Sequence, residues 1–237
     1  MASGKLFAGT SGFAFKEWKG VFYPEGVADK RMLEYYSKQL GSVEINYTFR
    51  RMPSESTLAN WAQQTGDGFQ FTLKAPQRIT HFKRLKDAGE DAEEFVRRAR
   101  LLGTRLGTVL FQLPPNLSYE RSRLEDFLAG LPPVARYAFE FRHESFTVDE
   151  VKDLLREHSV AWVAAETDAS ELSDVPVTAP FAYLRLRRQE YSDVELAVWG
   201  DRVRELLKQG IDVYCYFKHE GGGAGPRYAS AVLDAAS

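Results

Sequence analysis

Short runs of β-branched and aromatic residues alternate along this chain with longer stretches in which apolar residues return every three or four positions. The short runs cover 5–11, 43–48, 69–74, 107–113, 137–142, 161–167, 181–187 and 212–218. Their length and composition predict eight β-strands. The amphipathic stretches at 29–40, 54–64, 91–102, 118–128, 147–158 and 193–209 predict helices between them. Gly41, Gly103, Gly130 and Gly210 fall where helices end. The segment 168–180 carries no such period and reads as a loop. Strand–helix alternation repeated this often predicts a closed parallel (β/α)₈ barrel of the TIM type, as a single domain over 1–237. An open doubly wound sheet is the competing architecture. It would carry a glycine-rich phosphate turn after the first strand, and Gly9-Thr10-Ser11-Gly12 does not match that turn.

Within the predicted strands the two faces differ. One parity is apolar: Val43, Ile45 and Tyr47; Phe69, Phe71 and Leu73; Val109, Phe111 and Leu113; Phe139 and Phe141; Val213, Cys215 and Phe217. The other is polar toward the C-terminal ends of the strands: Glu44, Asn46 and Thr48; Gln70, Thr72 and Lys74; Thr108 and Gln112; Glu140 and Arg142; Glu166; Arg185 and Arg187; Lys218. Side chains alternate across a strand, so the apolar set faces the helices and the polar set faces the lumen and its mouth. Glu44, Asn46, Lys74, Glu140, Arg142, Glu166, Arg185 and Lys218 are therefore expected to converge at one end of the barrel. At least one Glu–Arg or Glu–Lys pair there should lie within hydrogen-bonding distance, because a lone buried charge is costly.

Composition alters this picture little. The 237 residues are 44% hydrophobic and 27% charged, with a formal net charge of -2, so nothing demands a polyanionic partner. The single cysteine, Cys215, excludes an internal disulfide framework and points to a reducing, cytoplasmic setting. No apolar run is long enough to cross a membrane, and the first residues lack the apolar core of a secretion signal.

At the predicted mouth the bases outnumber the acids, which suggests an anionic ligand, a carboxylate or a phosphate. Gly221, Gly222, Gly223 and Arg227, at the entrance to the last helix, are candidates for a phosphate cradle, with a solvent-exposed loop as the alternative. His81, His143 and His219 each follow a predicted strand. No spacing among them signals a metal, and no motif names a cofactor. Cys215 lies on the apolar parity and reads as a packed thiol.

Several strings, in order, occupy almost the whole chain: Gly9-Thr10-Ser11-Gly12-Phe13, Val43-Glu44-Ile45-Asn46-Tyr47-Thr48-Phe49, Lys74-Ala75-Pro76, Ile79-Thr80-His81, Val109-Leu110-Phe111-Gln112-Leu113-Pro114-Pro115 and Glu140-Phe141-Arg142-His143. In these the chain resembles the YecE-like barrel family, domain of unknown function seventy-two. The resemblance implies a (β/α)₈ barrel whose shared polar residues sit at its mouth, and it implies no particular reaction. Three positions depart from the family pattern: Glu166 where an Asp is usual, Arg187-Arg188 in place of His-Gly, and Lys218-His219-Glu220 in place of an Asn-rich ending.

The leading functional expectation is an enzyme for a small anionic or phosphorylated metabolite. Glu140 and Glu166 would divide the acid and base roles. Lys74 would be a third catalytic group, as an electrostatic partner or a Schiff-base nucleophile. Arg142, Arg185 and Lys218 would hold the anion, and Glu44, Asn46, His81 and His143 would complete the binding site. One alternative is metal-assisted phosphodiester or sugar chemistry using His81, His143, His219, Glu140 and Glu166. Another is a non-catalytic module that binds RNA or a protein through Phe13, Phe15, Trp18, Phe22 and Tyr23, though the near-neutral charge speaks against nucleic acid.

Overall fold

In the computed structural model, which describes residues 3–170, 172, 174–219 and 221–237, eight strands close into one parallel barrel. They are β1 (Leu6–Ser11), β2 (Ser42–Ile45), β3 (Gln70–Lys74), β4 (Leu106–Gln112), β5 (Arg136–Glu140), β6 (Ala161–Glu166), β7 (Phe181–Leu186) and β8 (Asp212–Phe217). Each pairs with its neighbour in sequence, and β1 closes the ring on β8 through partners such as Leu6 with Val213 and Thr10 with Phe217. Around them run α1 (Met32–Gln39), α2 (Glu55–Gln64), α3 (Gly89–Ala99), α4 (Arg121–Ala129), α5 (Asp149–Glu157), α6 (Asp193–Lys208) and α7 (Ala224–Ala236). Among the described residues, β6 and β7 are joined without an α-helix, in the segment that lacks a helical period. No helix there is long and apolar enough to cross a membrane.

The main core lies between sheet and helices and is filled by the apolar parity: Val43, Ile45, Phe71, Leu73, Val109, Phe111, Phe139, Val213, Cys215 and Phe217. Burial pushes the Cys215 thiol up to about 12, the behaviour of a packed side chain rather than a nucleophile. A second, smaller core fills the lumen, where Leu110, Val163, Phe181, Tyr183, Tyr214 and Tyr216 interdigitate with Phe7 packed against them. The tyrosine hydroxyls stay satisfied at this depth. Tyr216 shares hydrogen bonds with Ser42 at 2.6 Å and Thr72 at 2.9 Å, and Tyr183 donates to Glu44 Oε2 at 2.7 Å.

Two local features shape the mouth. The second strand is shorter than its sequence suggests. Asn46 turns out of it with φ -86° and ψ -19°, and Tyr47–Phe49 form a 3₁₀ turn. Thr48 Oγ1 holds that turn by donating to the carbonyls of Ile45 and Lys74, so Thr48 does not face the lumen and Tyr47 does not join the helix-facing core. On β1, Gly9 sits where a Cβ would lie 1.8 Å from the Ser42 carbonyl oxygen. The bare backbone lets β1 close on β2, and it leaves room for Tyr36 Oη of α1 to donate to that same oxygen at 3.0 Å.

Candidate functional site

At the C-terminal end of the strands lies an open cavity of about 680 Å³. Among the described residues its lining includes six cationic side chains, Arg50, Lys74, Arg142, Arg185, Arg187 and Lys218, and no carboxylate. Phe13 and Phe15 from the first loop, Phe49 from the turn after β2 and Trp61 from α2 supply an aromatic wall; Ser11, Asn46 and Gln112 add neutral polar groups.

Among the described residues the two lumen-facing acids at this end, Glu44 and Glu140, lie beneath the cations rather than in the cavity. Glu44 is fully buried; it accepts from Arg185 Nη2 at 2.8 Å, Ser11 Oγ at 2.7 Å, Asn46 Nδ2 at 3.1 Å and Tyr183 Oη at 2.7 Å. Glu140, 1% exposed, accepts from Gln112 Nε2 at 2.8 Å, Arg142 Nε at 3.0 Å, Arg187 Nη2 at 3.1 Å and Arg185 Nη1. Burial alone would push both carboxyls up. For Glu140 the guanidiniums of Arg185, Arg187 and Arg142 outweigh burial and hold it well below the usual carboxylate range. For Glu44 the Arg185 charge does so, helped by the hydrogen bonds from Arg185, Tyr183 and Ser11. Arg185, 2% exposed, bridges the two acids, and their charges raise it above the ordinary guanidinium value despite its burial.

Lys74 differs from the three arginines that contact Glu140. Its Nζ donates to Gln112 Oε1 at 2.7 Å and stands 4.0 Å from the centre of the Phe49 ring. Among the described residues it makes no ion pair. Burial, then the Arg185 charge, pull its ammonium down to about 8; Glu44 and Glu140 oppose this without prevailing. The ordinary value is 10.5, so at pH 7 the buried charge opposes folding by up to about 3 kcal/mol. Lys74→Met should therefore raise the unfolding free energy at pH 7, less about 1 kcal/mol for the stranded Gln112 oxygen. A depressed amine binds fewer protons folded than unfolded, so wild-type stability climbs between pH 8 and 10.5 and the advantage of the variant shrinks there. Urea unfolding at pH 7 and pH 10 measures both effects; a variant less stable than wild type at pH 7 contradicts this account.

Most of the expected convergence is present. Glu44, Asn46, Lys74, Glu140, Arg142, Arg185 and Lys218 all come to this end, the acids as buried anchors and the others at the cavity. Glu166 does not. On β6 the lumen side carries Ala161, Val163 and Ala165, and Glu166 shares the outer side with Trp162 and Ala164. Its carboxylate faces the helix layer and accepts from Tyr191 Oη at 2.7 Å and Trp199 Nε1 at 3.3 Å. The expected division of acid and base roles between Glu140 and Glu166 therefore has no geometric basis: one is saturated by donors and ionised, the other lies on the far side of the strand.

The remaining candidates scatter. His81 sits on a π-helical turn beyond β3, its Nδ1 2.9 Å from Thr80 Oγ1 and its ring edge-on to Phe49; burial and the charges of Lys74 and Arg142 lower its pKa. His143 is turned away and caps the 3₁₀ turn Glu144–Phe146 by accepting from Ser145 N. His219 packs on Tyr228 and donates through Nε2 to the Arg188 carbonyl. Among the described residues no three His, Cys, Asp or Glu side chains gather as metal ligands. Gly221, Gly222, Gly223 and Arg227 do not line the cavity. Arg227 instead pairs with Asp193 at 3.4 Å, and a Cβ on Gly223 would meet Val21 of the first loop. Glu220 lies outside the described residues. Of the proposed aromatic platform, Trp18 and Tyr23 are buried beneath the first loop, while Phe13 and Phe15 turn to the cavity. Arg187, Gln112 and Arg50 belong to the site although no role was assigned to them from sequence. Arg187 continues the period of two from Arg185, and Gln112 lies on the polar parity, so both were open to that reasoning. Arg50 lies in a turn where no period applies.

Comparison with known proteins agrees with this architecture. Among curated proteins, YecE of Escherichia coli K12 is 34% identical over 115 residues, a stretch covering 48% of this chain and only 42% of that protein. YunF of Bacillus subtilis is 25% identical and matches 85% of each chain. A DUF72 family protein of Thermotoga maritima, solved by crystallography, superposes with a TM-score of 0.82 at 30% identity, covering 97% of this chain and 98% of the other. The family profile described as "Protein of unknown function DUF72" matches residues 7–237, and the chain belongs to that family.

Proposed function

We propose that this barrel binds a small anionic metabolite, carrying a phosphate or carboxylate group, in the cavity at its mouth and acts on it as an enzyme. The observation that carries the reading is the cationic lining, which holds no carboxylate among the described residues. The acids beneath hold the guanidiniums in place, and each is already saturated with donors, so neither competes for the ligand. Arg185 Nε and Arg187 Nε, both buried, have no acceptor among the described residues, so the acids beneath do not use up the donor capacity of these two guanidiniums. The volume suits a small molecule, and the wall of Phe13, Phe15, Phe49 and Trp61 suits a ligand whose remaining part is flat or apolar.

Thermal unfolding with phosphate, pyrophosphate, sugar phosphates and dicarboxylates, each matched to sodium chloride of equal ionic strength, tests the reading. A ligand at a hundred times its Kd should stabilise the fold by about 2.7 kcal/mol, roughly 5–10 °C in a chain of this size. Arg187→Ala should weaken the best anion by about 10- to 100-fold, the value of a charge-assisted hydrogen bond. That variant should stay folded, since Glu140 keeps Gln112, Arg142 and Arg185. If no anion exceeds the salt control, the reading is wrong.

A further inference from the structure

We propose that Lys74 is an amine nucleophile that forms an imine with the carbonyl carbon of an aldehyde or ketone bearing the anionic group. This rests on the anion-binding reading above and adds the class of substrate to it.

The geometry separates Lys74 from an ordinary anion anchor. Arg142, Arg185 and Arg187 each contact Glu140, and Arg185 also contacts Glu44, so all three guanidiniums are tied to a carboxylate. Lys74 is held by a neutral acceptor, Gln112 Oε1, which can accept from an amine as well as from an ammonium and, unlike a carboxylate, brings no charge that would retain the proton. Gln112 is itself oriented, its Nε2 donating to Glu140 at 2.8 Å. The chain Glu140–Gln112–Lys74 thus fixes the nitrogen at the cavity without fixing its proton. Burial and the neighbouring guanidiniums lower the ammonium from its ordinary value and so raise the share of neutral amine, the form that attacks carbonyl carbon. The end of a barrel strand is also where reactive groups of this fold sit.

In the step, the nitrogen lone pair forms a C–N bond to the carbonyl carbon, and the carbonyl oxygen takes up a proton to give a carbinolamine. The C–O bond then breaks, and the oxygen leaves as water with the two hydrogens lost from nitrogen. The products are the imine and one water, with no change of oxidation state. The arginines hold the anionic group and set the distance of the carbonyl from Lys74.

The test uses pyridoxal 5′-phosphate, a phosphorylated aldehyde, at one equivalent, followed by sodium borohydride and peptide mass spectrometry. Lys74 should be labelled ahead of Lys218 and of surface lysines such as Lys16 and Lys86. Labelling should accelerate toward pH 8 and slow with excess pyrophosphate. Pyridoxal, which lacks the phosphate, should label Lys74 at least about ten-fold more slowly. Lys74→Arg should lose the label and keep its thermal shift with pyrophosphate, which shows that it is folded and binds. Label on Lys218 or on exposed lysines before Lys74 overturns the inference. If pyrophosphate still stabilises the protein in that case, the anion site stands without the imine; if it does not, both fall.

Discussion

Glu140→Ala should lower the unfolding free energy by about 3–5 kcal/mol, the usual cost of removing one partner from a buried ion pair. The loss has a definite origin. Arg142, Arg185 and Arg187 converge on this one carboxylate, and without it their charges face each other at the top of the barrel. The effect should depend on pH with a known sign. Glu140 is held below its ordinary value of 4.5, so it contributes fully above that value, and the contribution fades as the pH falls below it. The gap between wild type and variant, followed by denaturant unfolding from pH 7 down to pH 3, should therefore narrow on acidification. A gap under about 1 kcal/mol at pH 7 would show that desolvation cancels the attraction and that the cluster does not hold the fold together.

Arg185→Met should cost a similar amount, because it takes from Glu44 its one ion pair among the described residues while Glu140 keeps Arg142 and Arg187, and its pH dependence should run the opposite way. Among the described residues Arg185 makes the one ion pair to Glu44. With it gone, burial is no longer outweighed and the Glu44 carboxyl rises above its ordinary value. A raised carboxyl contributes stability below its unfolded value and loses it as the pH climbs through the folded one. The variant should thus gain stability relative to wild type between pH 7 and pH 5. Glu44→Gln in the same chain should recover part of the loss at pH 7 and flatten that dependence. A variant whose deficit is constant from pH 5 to 8 would mean that Glu44 keeps its charge without Arg185.

The barrel and most of its mouth were legible in the sequence because one physical rule dominates there. A parallel strand between helices and lumen has one compulsory apolar face, so Glu44, Lys74, Gln112, Glu140 and Arg185 could point only inward. The rule failed at β6, where Ala161, Val163 and Ala165 look no more polar than Trp162 and Ala164, and the face of Glu166 was decided by partners on α6 and the segment before it. It also ended where strands end. The 3₁₀ turn after β2 removed Thr48 and Tyr47 from the pattern, and the three histidines beyond strand ends were placed by local packing that no period reports. The balance of charge was visible from composition at the mouth. That the acids would lie under the bases was not, because depth along a strand axis leaves no mark on its alternation.

The tyrosine layer beneath Glu44 has a consequence for traffic. Tyr183, Tyr214 and Tyr216, with Phe7 and Phe181, pack the lumen below the ion pairs, between the cavity and the N-terminal end of the strands. The cavity is a cul-de-sac. Whatever enters between the aromatic wall and the arginines leaves by the same opening, so under the proposed chemistry a second reactant, or the water released at Lys74, would have to pass the bound ligand or wait for it to go. On the proposed reading, substrate and product share that one opening.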